Sequence, residues 1–513
     1  MWFRLPVRKS VKALLVVLAA LIGSVALTIG AAFSAAFAFG ASVALIVPGT
    51  GTHNVDSIPV YRGNAALRYI DPTLGDQVAP VCSNAQDPTS CNTVGVPYPA
   101  TFFPLVIFSG WCPDLKCDTW NESVSAGVEQ LNTTFYQTYD PQDPNQQVVI
   151  FGYSQGGAVV SRELYALNAD PSIDRSRVSV VTIGNINNPL GLWSRLSFLR
   201  SIPFLDVTFG PQLPTDGIKT TNYSFEYDPV GDAPQYWGNP VAMLNALAAF
   251  EYVHGYYLSP NENGPTDTLP YGYTDATLAY AIANADHVQY QNATFVLIPQ
   301  QGALPMYQPF VDLANATGTR ALVDPVISLI QPVTKVIVNL GYDRQTNPGI
   351  ARTLSILPFN PFQNWFTVGE DLAGATVEGV TNVIDGVDVT KPPTTPPADS
   401  SVVDSNSSNA ANLVAKQQST VTDAAPTDSG TGTATATTPV AKTKDTPAKT
   451  TVTKLKDVSK DKPVATAIKK TVDEVGSEVK RTVAKVQDAV TKAVTPATPK
   501  KQDSTDAKAK DAA

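Results

Sequence analysis

Gln147-Val148-Val149-Ile150-Phe151-Gly152-Tyr153-Ser154-Gln155-Gly156-Gly157-Ala158-Val159-Val160 is the stretch that decides how this chain folds. Val148 to Phe151 are apolar and mostly β-branched, the signature of a buried strand. Small and apolar residues compatible with a helix follow Gly156. A serine at such a strand-to-helix turn sits in a strained φ > 0 conformation, where side chains at Gly152 and Gly156 would collide with neighbouring backbone. The turn lifts Ser154 Oγ above the sheet and aims the N–H of Gln155 at negative charge developing beside it. Gly-x-Ser-x-Gly alone is common by chance, so the strand before it and the helix after it give this occurrence its weight.

Working outward, short apolar runs bounded by turn residues recur at 43–47, 105–108, 148–151, 178–183, 223–227 and 294–298, and they read as buried parallel strands. Between them lie amphipathic segments such as 123–136, with Val124, Val128, Leu131 and Phe135 at helical spacing. The alternation predicts an α/β fold with a mostly parallel sheet flanked by helices. Residues 322–340 and 371–389 keep apolar periodicity and read as helices closing the globular unit. One connection, 189–214, carries Leu190, Leu192, Trp193, Leu196, Phe198, Leu199, Ile202, Phe204 and Leu205, which fits a lid or acyl-chain groove as well as a plain core layer.

Serine needs a base and an acid, and a hydrolase with this order of elements carries them downstream as acid, then histidine. The chain has three histidines. His53 is upstream of Ser154, and His287 precedes a predicted strand. His254, in a Gly-bearing aromatic loop, is the preferred base. The predicted strand at 223–227 runs into Asp228-Pro229-Val230-Gly231-Asp232; Asp228 reads as a turn cap at the strand end, and Asp232 is preferred as the acid because it lies a turn further on, where the loop swings toward a histidine. A second oxyanion donor is expected from the loop after the first strand, at Thr50 and Gly51, beside Gln155. No H-E-x-x-H, EF-hand loop or phosphate-binding glycine motif occurs, so neither a metal nor another cofactor is expected.

Composition bounds the rest. Of 513 residues, those from 367 onward include no Phe, Tyr or Trp, so the core lies before them. Net charge is −9, with +5 on 391–513 and −14 before it; an acidic body and a diluted basic tail exclude a nucleic-acid partner. Residues 1–38, basic and then apolar, read as a signal peptide or membrane anchor. The α/β domain is expected over 39–390, a disordered Pro/Thr/Ala/Ser linker over 391–460, and a Lys/Ala/Val-rich tail over 461–513 whose valine heptad stripe suits a helix formed on binding a partner. Cys82 with Cys91 and Cys112 with Cys117 lie close in sequence, which favours two disulfides in an oxidising compartment over a four-thiolate zinc site.

The run Ile46-Val47-Pro48-Gly49-Thr50-Gly51, then Gly152-Tyr153-Ser154-Gln155-Gly156-Gly157, Tyr227-Asp228-Pro229-Val230-Gly231-Asp232-Ala233-Pro234 and His254 resembles the mycobacterial PE-PPE serine-hydrolase domain, a family related to cutinases. The likeness extends to Leu297-Ile298-Pro299 and Leu304-Pro305 and covers about residues 41–310. It implies an α/β-hydrolase that acts on lipid or acyl-ester substrates at the membrane or cell envelope. Such an enzyme is either an esterase or an acyltransferase moving fatty acyl chains between trehalose glycolipids. No PE or PPE module precedes the domain here, so the basic-apolar N-terminus is expected to serve export. The reading from another class is a catalytically silent envelope-binding protein.

Overall fold

The structure is a computed structural model, described here for residues 42–58, 60–75, 78–105, 110–112, 116–260 and 268–397. The expected signal or anchor, the linker beyond 397 and the valine stripe lie outside the described residues.

A seven-stranded sheet forms from β1 (Ser42–Val47), β2 (Thr93–Gly95), β3 (Gln147–Tyr153), β4 (Val178–Ile183), β7 (Lys219–Phe225), β8 (His287–Tyr290) and β9 (Ala293–Ile298), in the order β2-β1-β3-β4-β7-β9-β8. Every pairing is parallel except β8 with β9. Strands buried on both faces explain the continuous apolar runs. Val43, Leu45, Val148 and Ile150 point into one core layer, while Ala44, Ile46, Val149 and Phe151 point into the other. Each buried Val, Leu or Ile contributes about 1.5–3 kcal/mol, so a register slip in this sheet, which would swap the two faces, is strongly disfavoured.

Helices cover both faces: α1 (Trp120–Thr138), α2 (Gln155–Ala169), α3 (Pro240–Tyr252), α4 (Asp275–Asn284), α5 (Gln308–Thr317) and α6 (Arg320–Asn339). Helix α1 starts where Thr119 and Glu122 close a capping box, and it buries Val124, Leu131 and Phe135. Helix α6 is the one described helix long and apolar enough to cross a membrane; it buries Ile327, Pro332 and Val338. A last helix, α7 (Trp365–Asp385), spans a unit boundary. Of the second unit, which comprises residues 364–377 and 416–513, only its first turns are described.

Five of the six expected strands are present, although the one expected at 223–227 runs from Lys219 to Phe225. Of the run at 105–108, Leu105 is outside any strand and 106–108 lie outside the described residues. The 189–214 connection divides along its length. Trp193 is buried, Leu192, Leu196, Ile202 and Leu205 pack against the core, and Phe198, Leu199 and Phe204 are exposed. Its tip is a small antiparallel hairpin of β5 (Ser201–Ile202) and β6 (Val207–Thr208). Cys82 is bonded to Cys91, and Cys112 to Cys117.

Candidate active site

Parallel register assembles the site at the carboxyl ends of the strands, where open α/β sheets bind ligands. Val47 pairs with Gly152 and Ile183 with Tyr153, so the loops after β1 and β4 flank the end of β3. There Ser154 has φ 54° and ψ −116°, outside the regions favoured by side-chain-bearing residues. Glycine is required next to it: a Cβ on Gly156 would lie 2.3 Å from Val47 O, and one on Gly152 would lie 2.8 Å from Val160 Cγ2.

Ser154 Oγ lies 2.8 Å from His254 Nε2. His254 opens a short turn directly after α3, which begins with Asn239 capping the N–H groups of Val241 and Ala242. Phe250, one turn before the histidine, stacks on the imidazole at 5.6 Å. The Tyr153 hydroxyl donates to His254 O, tying the elbow to the histidine loop.

The acid facing His254 is Asp228, which corrects the preference for Asp232. Asp228 Oδ1 and Oδ2 lie 3.1 and 3.0 Å from His254 Nδ1. Oδ2 also accepts from the Tyr257 hydroxyl at 2.7 Å, and Oδ1 from the Val230 N–H at 3.0 Å. Burial, followed by the charge of Asp228, pushes the Tyr257 hydroxyl well above its ordinary range, so it stays a donor. Because β7 ends at Phe225, Asp228 already stands on the loop, and Tyr227 at φ 71° turns the chain back toward the histidine. Gly184, at φ 46°, leaves room for both partners: a Cβ there would lie 3.1 Å from Asp228 Oδ2 and 3.2 Å from His254 Cε1.

Asp232 is engaged elsewhere. Arg344 Nη1 and Nη2 donate to its two oxygens at 2.6 and 2.7 Å, and the Tyr227 N–H donates at 2.9 Å. This bidentate clamp fixes the acid-bearing loop from the far side. Burial alone raises the Glu226 carboxyl, yet Lys335 and Arg344, both at 3.9 Å, with the Gln300 N–H at 3.0 Å, hold it below its ordinary 4.5. A depressed folded-state pKa contributes stability above the ordinary value and loses it as pH falls through the folded one. The wild-type melting temperature should therefore drop on acidification below about pH 4.5, with Glu226→Gln showing a shallower drop. Parallel melting curves for the two proteins would remove Glu226 from the account.

Gln155 begins α2, where first-turn N–H groups lack intrahelical acceptors. Its side chain is anchored to Thr101 O at 2.9 Å and to Ser123 Oγ at 3.2 Å, which fixes the backbone. In the loop after β1, a Cβ on Gly49 would sit 3.0 Å from Ser154 Cβ, so that loop abuts the nucleophile position. Gly51 is corrected as an oxyanion donor, because its N–H donates to Ala100 O at 2.8 Å. Thr50 remains half-buried between Gly49 and Gly51. His287 is exposed on β8, its Nε2 2.9 Å from Ile282 O. Among the described residues, no cluster of three or more His, Cys, Asp or Glu could hold a metal. Arg344 carries no local sequence signal; Tyr257 lies in the aromatic run around His254 without a mark of its contact with Asp228, and Phe250 is signalled only as an aromatic four residues before that histidine.

A parallel sheet with helices on both faces and a Ser–His–Asp line at the strand ends is the architecture of an α/β-hydrolase. Residues 89–343 match the PE-PPE domain. The chain thus carries a PE-PPE domain over these residues. One of its relatives in Mycobacterium tuberculosis is Esterase PE16, 30% identical over 244 residues that make up 47% of this chain and 41% of the relative. Another is SL1278 acyltransferase Chp1, 28% identical over 56% of this chain and 67% of the relative. A third, PE family protein PE3, is 31% identical over 52% of this chain and 53% of the relative. The chain spans about half the length of the first curated relatives it matches. Among solved structures, an acetylxylan esterase aligns with 30% of this chain and 67% of its own, at 16% identity and a TM-score of 0.18.

Proposed function

We propose that this chain is an exported serine esterase that cleaves acyl esters of envelope lipids through an acyl-enzyme on Ser154. The observation that carries the reading is the continuous line from Ser154 Oγ to His254 Nε2 at 2.8 Å and from His254 Nδ1 to Asp228 at 3.0 Å. His254 takes the serine proton as Oγ attacks the ester carbonyl, and Asp228 orients and stabilises the imidazolium that forms. Gln155 N–H, with Thr50 across the site, stabilises the oxyanion. His254 then returns the proton to the leaving alkoxide, and water, activated by the same histidine, releases the acid.

A glycolipid hydroxyl in place of that water makes the same site an acyltransferase, a second reading favoured by the likeness to SL1278 acyltransferase Chp1. Export is supported by the basic-apolar N-terminal sequence and the two disulfides. A fluorophosphonate probe should label the folded chain at Ser154, located by peptide mass. Adding an acyl trehalose with free acceptor then reports whether diacylated product or free fatty acid accumulates. Folded protein that the probe leaves unlabelled would point to the silent envelope-binding role.

A further inference from the structure

One wall of the site is built of aromatic rings. Phe250 stacks on the His254 imidazole with planes 12° apart, and Trp111 meets Phe250 edge to face at 6.0 Å. The same indole reaches the loop after β1, since a Cβ on Gly51 would lie 3.3 Å from Trp111 Cδ1. Two touching rings therefore join the histidine to the loop that abuts Ser154. Trp111 is held in place by the adjoining Cys112–Cys117 bond and by its carbonyl, which accepts from the Phe102 N–H at 3.0 Å.

The aromatic line continues away from the serine. Phe102 stacks on Trp111 at 6.2 Å and meets Trp193 edge to face at 6.3 Å. Trp193 opens the 189–214 connection, whose Phe198 and Phe204 face solvent. Aromatic rings also stack on sugars, but a sugar needs hydroxyl partners beside the ring. Phe250 and Phe102 instead pack into one apolar cluster that includes Trp193, which suits a hydrocarbon chain.

From this geometry we infer that Trp111 and Phe250 form the acyl subsite, and that the substrate class is esters of medium to long acyl chains laid along the line from Ser154 toward Trp193. The inference rests on the acyl-enzyme reading above and adds to it which substrate the site selects. Trp111 acts on specificity: each methylene it covers is worth roughly threefold to fourfold in kcat/KM.

The test uses the full chain with p-nitrophenyl acetate, butyrate, octanoate and dodecanoate, alongside fluorophosphonate labelling. In the wild type kcat/KM should rise with chain length. In Trp111→Ala the octanoate-to-acetate ratio should fall at least about tenfold, with Trp111→Phe and Phe250→Leu falling between the two while Ser154 is still labelled. A flat wild-type profile, or a labelled Trp111→Phe and Phe250→Leu pair with unchanged ratios, overturns the subsite. Wild-type protein that resists labelling overturns the underlying acyl-enzyme reading instead.

Discussion

Ser154→Ala is expected to lower kcat for p-nitrophenyl butyrate by roughly 10⁴- to 10⁶-fold, because members of a triad act as a unit and the nucleophile is the atom to which the acyl group bonds. The oxyanion donors survive the change, so a residual rate above the uncatalysed reaction should remain. Stability gives a second readout from the same residue. Ser154 holds φ 54° and ψ −116°, a conformation that costs of order 1–3 kcal/mol in a residue bearing a Cβ. Alanine keeps that strain, whereas Ser154→Gly relieves it, partly offset by the greater chain entropy of glycine when unfolded. Ser154→Gly should thus be as inactive as Ser154→Ala yet more stable, by about 1 kcal/mol in a denaturant titration. Hydrolysis by Ser154→Ala within tenfold of wild type would place the chemistry elsewhere.

That Ser154 could be found from the sequence follows from how local its signal is. The apolar run, the Gly-flanked serine and the helix after it are contiguous, and the collisions that require Gly156 involve Val47 and Pro48 of the neighbouring strand end. His254 was reachable because the chain has so few histidines. Elements whose identity depends on distant partners were not legible. Strand β2 is three residues long, and the β5–β6 hairpin pairs two residues with two, too short for periodicity to register. Strand β8 alternates half-buried with exposed residues, as an antiparallel edge does, so it lacked the apolar run that marked the parallel strands. The choice between two aspartates turned on two non-local facts: β7 stops at Phe225, and the cation claiming Asp232 lies 112 residues away.

Those two aspartates give the sharpest separation of roles. Asp228→Asn should lower kcat by roughly 10⁴-fold, because the amide presents the wrong partner to Nδ1 and favours the tautomer that cannot accept the serine proton. The folded state should be only modestly disturbed: the Asn oxygen can still accept from the Val230 N–H, while the amide NH2 takes the other oxygen's place and meets the Tyr257 hydroxyl, which can accept as well as donate. Asp232→Asn should behave in the opposite way. Asp232 is 1% exposed and Arg344 22%, so removing the carboxylate leaves a largely buried guanidinium without its bidentate partner, at a cost of about 3 kcal/mol, the lower end for a broken buried pair because Glu226 is near enough to share the charge. The melting temperature falls, while kcat per fluorophosphonate-labelled site stays within about tenfold of wild type. Measuring activity per labelled site keeps the effects apart, because unfolded protein is neither labelled nor counted. If Asp232→Asn instead abolished turnover in labelled, folded protein and Asp228→Asn did not, the acid would be Asp232 and the hydrogen bonds to His254 Nδ1 would be structural.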